Sequence, residues 1–262
     1  IGYRLIRDLR KGWRFNNPNL DQLQLLRMDY EGLEDFCSHE PSFAAHPILS
    51  RLTPGERGEV ARLLFGELTK NLCIEARYLD AQEHEAVKGK IYNYLTERWS
   101  FGDDERLSTT RYLILDKRPD SKGRQRLDLI GGGPGSRLIR LLKDSEIWGA
   151  SACAAATKCL SNPEWVTLCR DFLKAAEKHG YVQSQGIDHQ KLVGWTLKSS
   201  ALRWTLTPDI PDSAKSANQF FRQLYLAVAE ILTQRPHPLF DFVAHEHTAQ
   251  VDNSDRMILE AR

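Results

Sequence analysis

Apolar residues return at spacings of three and four along much of the chain, and the segments that keep this rhythm start and stop on recognisable signals. Trp165, Leu168, Cys169, Phe172, Leu173 and Ala176 lie on one helical face. Ser161-Asn162-Pro163-Glu164 supplies a capping box and an early proline ahead of them, and Gly180 ends the run. Thr53-Pro54-Gly55-Glu56 repeats the start signal before Val60, Leu63, Leu64, Leu68 and Leu72. Asn17-Pro18 offers a cap and a first-turn proline, and Leu23, Leu26, Tyr30 and Leu33 predict a helix after it. The first hundred residues therefore read as helical. A further amphipathic helix is expected from Phe221, Leu224, Tyr225, Val228 and Ile231, after the linker Thr207-Pro208-Asp209-Ile210-Pro211.

The pattern changes beyond Trp99. TRYLIL (110–115) and RLDLI (126–130) have strand composition, and KRPDSKGRQ between them is loop, so a β-hairpin with a basic tip is expected. Gly131-Gly132-Gly133-Pro134-Gly135 then breaks the chain, and Ser136 can cap a helix starting at Arg137. After the helix that ends at Gly180, YVQSQ (181–185) reads as a strand, and VGWTLKSSALRWTL (193–206) as two short strands around Lys198-Ser199-Ser200. Helices, a strand and a terminal hairpin in this order have the look of a winged helix.

Composition and charge narrow this reading only slightly. The chain has 262 residues, 41% hydrophobic and 27% charged, which is the composition of a folded protein. It has no apolar run near the roughly 20 residues of a membrane span. A membrane partner is not expected. It begins with Ile1, and IGYRLIRDLRKGWRF has no signal-peptide pattern, so a piece of a longer protein is expected. The 36 basic and 35 acidic residues leave a net charge of +1, so only local charge is informative. Five cysteines with no C-x-x-C pair suit a reducing cytoplasm and buried, inert thiols, Cys169 among them.

No complete catalytic site emerges. GGGPGS between a strand and a helix resembles a phosphate-binding turn, but Gly135-Ser136-Arg137 stands where a phosphate loop needs Gly-Lys-Ser/Thr, and Pro134 removes an N–H donor. His245-Glu246-His247 alternates across an extended chain and lacks zinc-helix spacing, so no metal is expected. The other histidines are scattered. A nucleic-acid interface has more support. Lys198, Arg203 and Lys191 would decorate the wing beside Trp195 and Trp204, and Arg137 and Arg140 would lie on the helix after the glycine turn. Lys117, Arg118, Lys122, Arg124 and Arg126 against Asp120 give the hairpin tip the densest charge imbalance, suited to phosphate contacts. The other possibility is that both tryptophans are core and the cations solvated, with the chain docking a protein partner as a scaffold.

FDFVAHEHTAQVDNSDRMILEAR (240–262) resembles the start of the second RecA-like domain of superfamily 2 helicases. There a strand leads to a His-small-residue turn, then Arg and a helix; here these are His247-Thr248-Ala249, Arg256 and Glu260, without the glycine that usually follows. With GWRFNNPNLDQLQLLRMDYEGL (12–33), this stretch is similar to the large bacterial helicases of antiphage defence, of the Druantia type first and the DISARM type second. The resemblance covers both ends, and the middle only by architecture. It implies an internal fragment of α+β class, mostly helical. The parts would be a helical region (1–105), a β-hairpin and winged-helix-like domain (106–207), and the beginning of a RecA-like α/β domain (208–262). It implies DNA and other subunits of a defence complex as partners, with ATP and Mg bound by the parent protein. No Walker or arginine motif is present in the chain, so no ATP hydrolysis and no cofactor are expected of the fragment, and His247 and Arg256 would be coupling positions.

Overall fold

A five-stranded sheet, a two-stranded ribbon and helices make up a mixed α/β chain in the computed structural model, which describes residues 2–10, 17–95, 100–101, 105–116, 128–144, 146–187, 192–206 and 218–233. In chain order the elements begin α1 (Gly2–Asp8), β1 (Leu26–Tyr30), α2 (Leu33–Ser38), α3 (Pro54–Lys70), β2 (Ile74–Glu75), α4 (His84–Tyr94), β3 (Tyr112–Ile114) and β4 (Leu129–Gly131). They continue with α5 (Arg137–Lys143), α6 (Ile147–Ala150), α7 (Ala154–Lys158), α8 (Asn162–Lys178), β5 (Val182–Ile187), β6 (Leu192–Lys198), β7 (Leu202–Leu206) and α9 (Gln219–Thr233). Among the described residues no helix is long and apolar enough to cross a membrane.

The two capping boxes form as the sequence predicts. Thr53 and Glu56 bond each other's backbone N–H at the start of α3, and Ser161 and Glu164 do the same for α8. Gly180 follows α8 at φ +80°, a left-handed conformation that suits glycine. Trp165, Leu168, Cys169, Phe172, Leu173 and Ala176 are all buried, against α3 residues Val60, Leu64, Phe65 and Leu68 in the same core. Phe65 stacks on Tyr181, ring centroids 5.5 Å apart, and Phe172 meets Phe36 and Phe43 near this stack. Burial pushes the thiols of Cys73 and Cys169 up to about 12 and that of Cys37 up to about 11, so they stay protonated at neutral pH.

Strand β6 is the centre of the sheet. Its whole length pairs antiparallel with β5, Gln183 opposite Thr196 and Gln185 opposite Gly194. Its other edge is shared by β3, antiparallel through Leu113 and Trp195, and β2, parallel through Ile74 and Leu197. A Cβ on Gly194 would lie 2.8 Å from Tyr112 Cβ and 2.4 Å from Ile187 Cδ1, so this position of the central strand has room only for glycine. Trp195 and Leu197 point into the core with α3 and α8. On the opposite sheet face Leu192 joins Ile114, Leu129 and Ile187 in a small separate cluster.

Four expectations are corrected. No helix follows Asn17-Pro18 at residues 26–30: Gln24 takes φ +54°, and Leu26, Met28 and Tyr30 turn inward at a period of two as β1. The apolar spacing from Leu23 to Leu33 fits both periods, and antiparallel pairing with β7 selects the strand. The segments 110–115 and 126–130 are not a hairpin, because β3 and β4 pair parallel, Tyr112 opposite Leu129, and parallel strands need a crossover between them. The residues of that connection, 117–127, lie outside the described ones.

Strands β6 and β7 do not form the terminal hairpin either. A short helical turn at Ser199–Ala201 separates them, and β7 leaves the large sheet to pair with β1, Leu206 opposite Leu26. Finally, no boundary falls near residue 105. Strands β1 and β2 pair with β7 and β6, one core holds Tyr30, Phe65, Leu113 and Trp195, and residues 1–214 form one unit, with 215–262 a second. In that second unit α9 forms where the periodic stripe predicts a helix, with Phe220, Leu224 and Leu226 exposed.

Candidate nucleic-acid interface

The glycine turn is built to bring a helix start close to the sheet. A Cβ at Gly132 would sit 2.9 Å from Leu113 Cδ1 and 3.0 Å from Leu115 Cδ2, and the Gly132 N–H donates to the Ile114 carbonyl at 2.7 Å, so the turn starts packed against the end of β3. Ser136 Oγ then accepts a hydrogen bond from the Ile139 N–H at 3.3 Å and starts α5. Leu138, Ile139 and Leu142 are buried, which leaves Arg137, Arg140 and Lys143 along the outer face at three-residue steps. Trp148 Nε1 donates to the Leu142 carbonyl at 2.6 Å and closes the end of the helix. Among the described residues neither Arg137 nor Arg140 has an acidic partner, and Lys143 Nζ donates to Asn162 Oδ1 at the start of α8.

Helix α8 adds a mixed outer face. Arg170 is held by Asp116 at 2.7 Å, and Lys174 lies 4.0 Å from Asp171. Glu177 accepts from both the N–H and the hydroxyl of Ser184 at 2.7 Å, which ties α8 to β5. Lys178 is exposed, with no ion pair among the described residues.

The expected wing residues separate. Lys198 ends β6, half-buried, its N–H donated to the Tyr181 carbonyl at 2.8 Å. Arg203 belongs to the β1–β7 ribbon, opposite Asp29 and 3.6 Å from Glu31 Oε2, so local carboxylates offset its charge. The two cations therefore do not share one hairpin. The structure instead makes its hairpin from β5 and β6, joined by residues 188–191. Lys191, Lys117, Arg118, Lys122, Arg124 and Arg126 lie outside the described residues, as do His247 and Arg256. Trp195 is buried core, and Trp204 is half-buried against the cluster of Tyr3, Ile6, Leu72 and Leu79.

The chain matches no family model, no curated protein and no solved structure. The site must be read from its own chemistry. Among the described residues no three His, Cys, Asp or Glu side chains converge as a metal site would need. One pair of histidines does come together: Ser42 Oγ lies 2.8 Å from His39 Nδ1 and 2.6 Å from His179 Nε2. Burial and the neighbouring His39 lower the pKa of His179. The sequence hid this contact because residues 42 and 179 are far apart in it. It also hid Lys143 and Lys178, which only the helix faces single out as cations with no acidic partner among the described residues.

Proposed function

We propose that the chain is an accessory DNA-binding segment of an ATP-dependent superfamily 2 helicase or translocase, acting in antiphage defence in the cytoplasm. It would grip duplex or forked DNA near the point of strand separation while the motor domains of the parent protein bind ATP and Mg and move it. The observation that carries this reading is the row Arg137, Arg140 and Lys143 on a helix whose opposite face is buried, none of the three with an acidic partner among the described residues. Cations left unneutralised by the protein are suited to phosphates.

The order of elements supports the same reading. Helix α8 runs straight into the β5–β6 hairpin, and β3 lies on the far edge of β6, an order of helices, strand and hairpin that supports a winged-helix reading. The start of a RecA-like domain at 208–262 remains part of the proposal.

A second reading has its own observation. Tyr92, Tyr94 and Leu95 at the end of α4 are exposed, Tyr94 at 83%, and suit docking on another subunit of a defence complex.

Salt separates the two. Three phosphate contacts predict that affinity for a 20-base-pair duplex falls roughly 40-fold between 50 and 200 mM salt. In anisotropy titrations of the whole chain, Arg137→Glu/Arg140→Glu should abolish most of that binding. A folded protein that binds no DNA at 50 mM salt would overturn the DNA reading and leave the docking face.

A further inference from the structure

The sheet face turned away from α3 and α8 is only half apolar. Leu192, Ile187, Ile114 and Leu129 close one end of it. The other end is open and polar, a cleft of about 570 Å³ that continues into one of about 390 Å³, the two sharing Glu75, Arg77 and Gln183. Alternation along the strands fixes which side chains face it: Gln183 and Gln185 from β5, Thr196 and Lys198 from β6.

Thr196 is the decisive residue. It is 2% exposed and lines the larger cleft, and among the described residues its hydroxyl has no hydrogen-bond partner. Buried polar groups in folded proteins are paired, so an orphan at the floor of a cleft points to a missing partner. The side chains of Gln183, Gln185, Glu75 and Lys198 likewise have no partner among the described residues, and Glu75 and Lys198 stay apart although they are opposite each other in register.

We propose that this cleft takes a nucleobase with its sugar and one phosphate, and that in the DNA-handling role above its source is an unpaired DNA strand. Glutamine amides donate and accept at once and match the edge of a base. Glu75 can accept from an exocyclic amine, Lys198 offers a point charge to a phosphate, and the Tyr112 ring lines the cleft beside them. A duplex backbone or a polyphosphate is unsuited, because Glu75, Asp80 and Glu83 outnumber Arg77 and Lys198, and Glu83 holds Arg77 at 2.8 Å. A wholly apolar ligand is unsuited because amide, hydroxyl and carboxylate groups share the lining with Ala76, Leu79, Ala81 and the Tyr112 ring. The inference rests on the DNA-binding reading for the source of the base, and not for its chemistry.

The test is a comparison of a 12-nucleotide strand with an abasic strand of the same phosphate number, alongside a duplex and dAMP, each titrated against the whole chain at 100 mM salt. The base-bearing strand should bind at least 10-fold tighter than the abasic one. Thr196→Val/Gln185→Ala should erase that difference and leave duplex binding unchanged, whereas Arg137→Glu/Arg140→Glu should weaken the duplex and keep the difference. Thr196→Val alone removes only an unpaired hydroxyl, so its melting temperature should equal or exceed that of the original chain, which separates loss of the ligand from loss of the fold. Equal binding of base-bearing and abasic strands, with no dAMP binding, overturns the cleft even if the duplex binds. dAMP binding without binding of any strand supports the cleft with a free nucleotide as its source and overturns the DNA source. No binding of any probe overturns both readings.

Discussion

Asp8 shows how a single buried group sets a pH dependence. Its carboxylate accepts from the Leu20 N–H at 2.9 Å, but burial, with Asp21 nearby, pushes its pKa up to about 6. The unfolded value is near 4, so the native state binds the proton more tightly. The stability it contributes is complete below pH 4 and is lost as pH rises through 6. Asp8→Asn should therefore flatten the stability profile between pH 4 and 7 and raise the urea midpoint at pH 7.5; a profile unchanged by the substitution would show that Asp8 titrates normally. Arg57 is the opposite case, a buried cation with no carboxylate partner: its guanidinium donates to the carbonyls of Leu49, Cys37 and Ser50 at 3.0–3.1 Å and lies over the Phe43 ring. Arg57→Met leaves three carbonyls unpaired and should cost about 3 kcal/mol in urea unfolding. Neither environment was legible in the sequence, and Thr196 was hidden for the same reason. A polar residue in a strand reads as surface or filler until the pairing fixes its face.

Among the elements, those specified by nearby residues were legible and those specified by distant ones were not. Both long helices carry their own boundaries, since a capping box and a proline act within one turn. Ser161→Ala should lower stability by about 1 kcal/mol in thermal unfolding, because it leaves the Glu164 N–H at the start of α8 without its side-chain acceptor. The strands carry no such local instruction. TRYLIL and RLDLI were recognisable as strands, yet their parallel sense depends on the crossover between them. Strand β1 passed for helix because its partner β7 is far along the chain. The candidate interface divided along the same line. Arg137 and Arg140 follow a capped helix start and sit where the sequence places them, whereas Lys198 and Arg203, read as one wing, belong to different sheets.

At the scale of the whole molecule, residues 1–214 form one unit whose largest core draws on residues from Tyr30 to Ala201, although the sequence suggested a division near 105. Hydrogen exchange should therefore show residues 26–30, 168–176 and 202–206 opening together in mild urea; independent opening of the first hundred residues would restore the division. The β1–β7 ribbon has a further consequence for the order of events at the ribosome. Strand β1 emerges about 175 residues before the strand it pairs with, and at about 5–20 residues per second it waits roughly 10–35 seconds for that partner. During synthesis its backbone donors and acceptors stay open to other nascent chains, so slower translation would prolong that exposure and favour aggregation of the newborn protein.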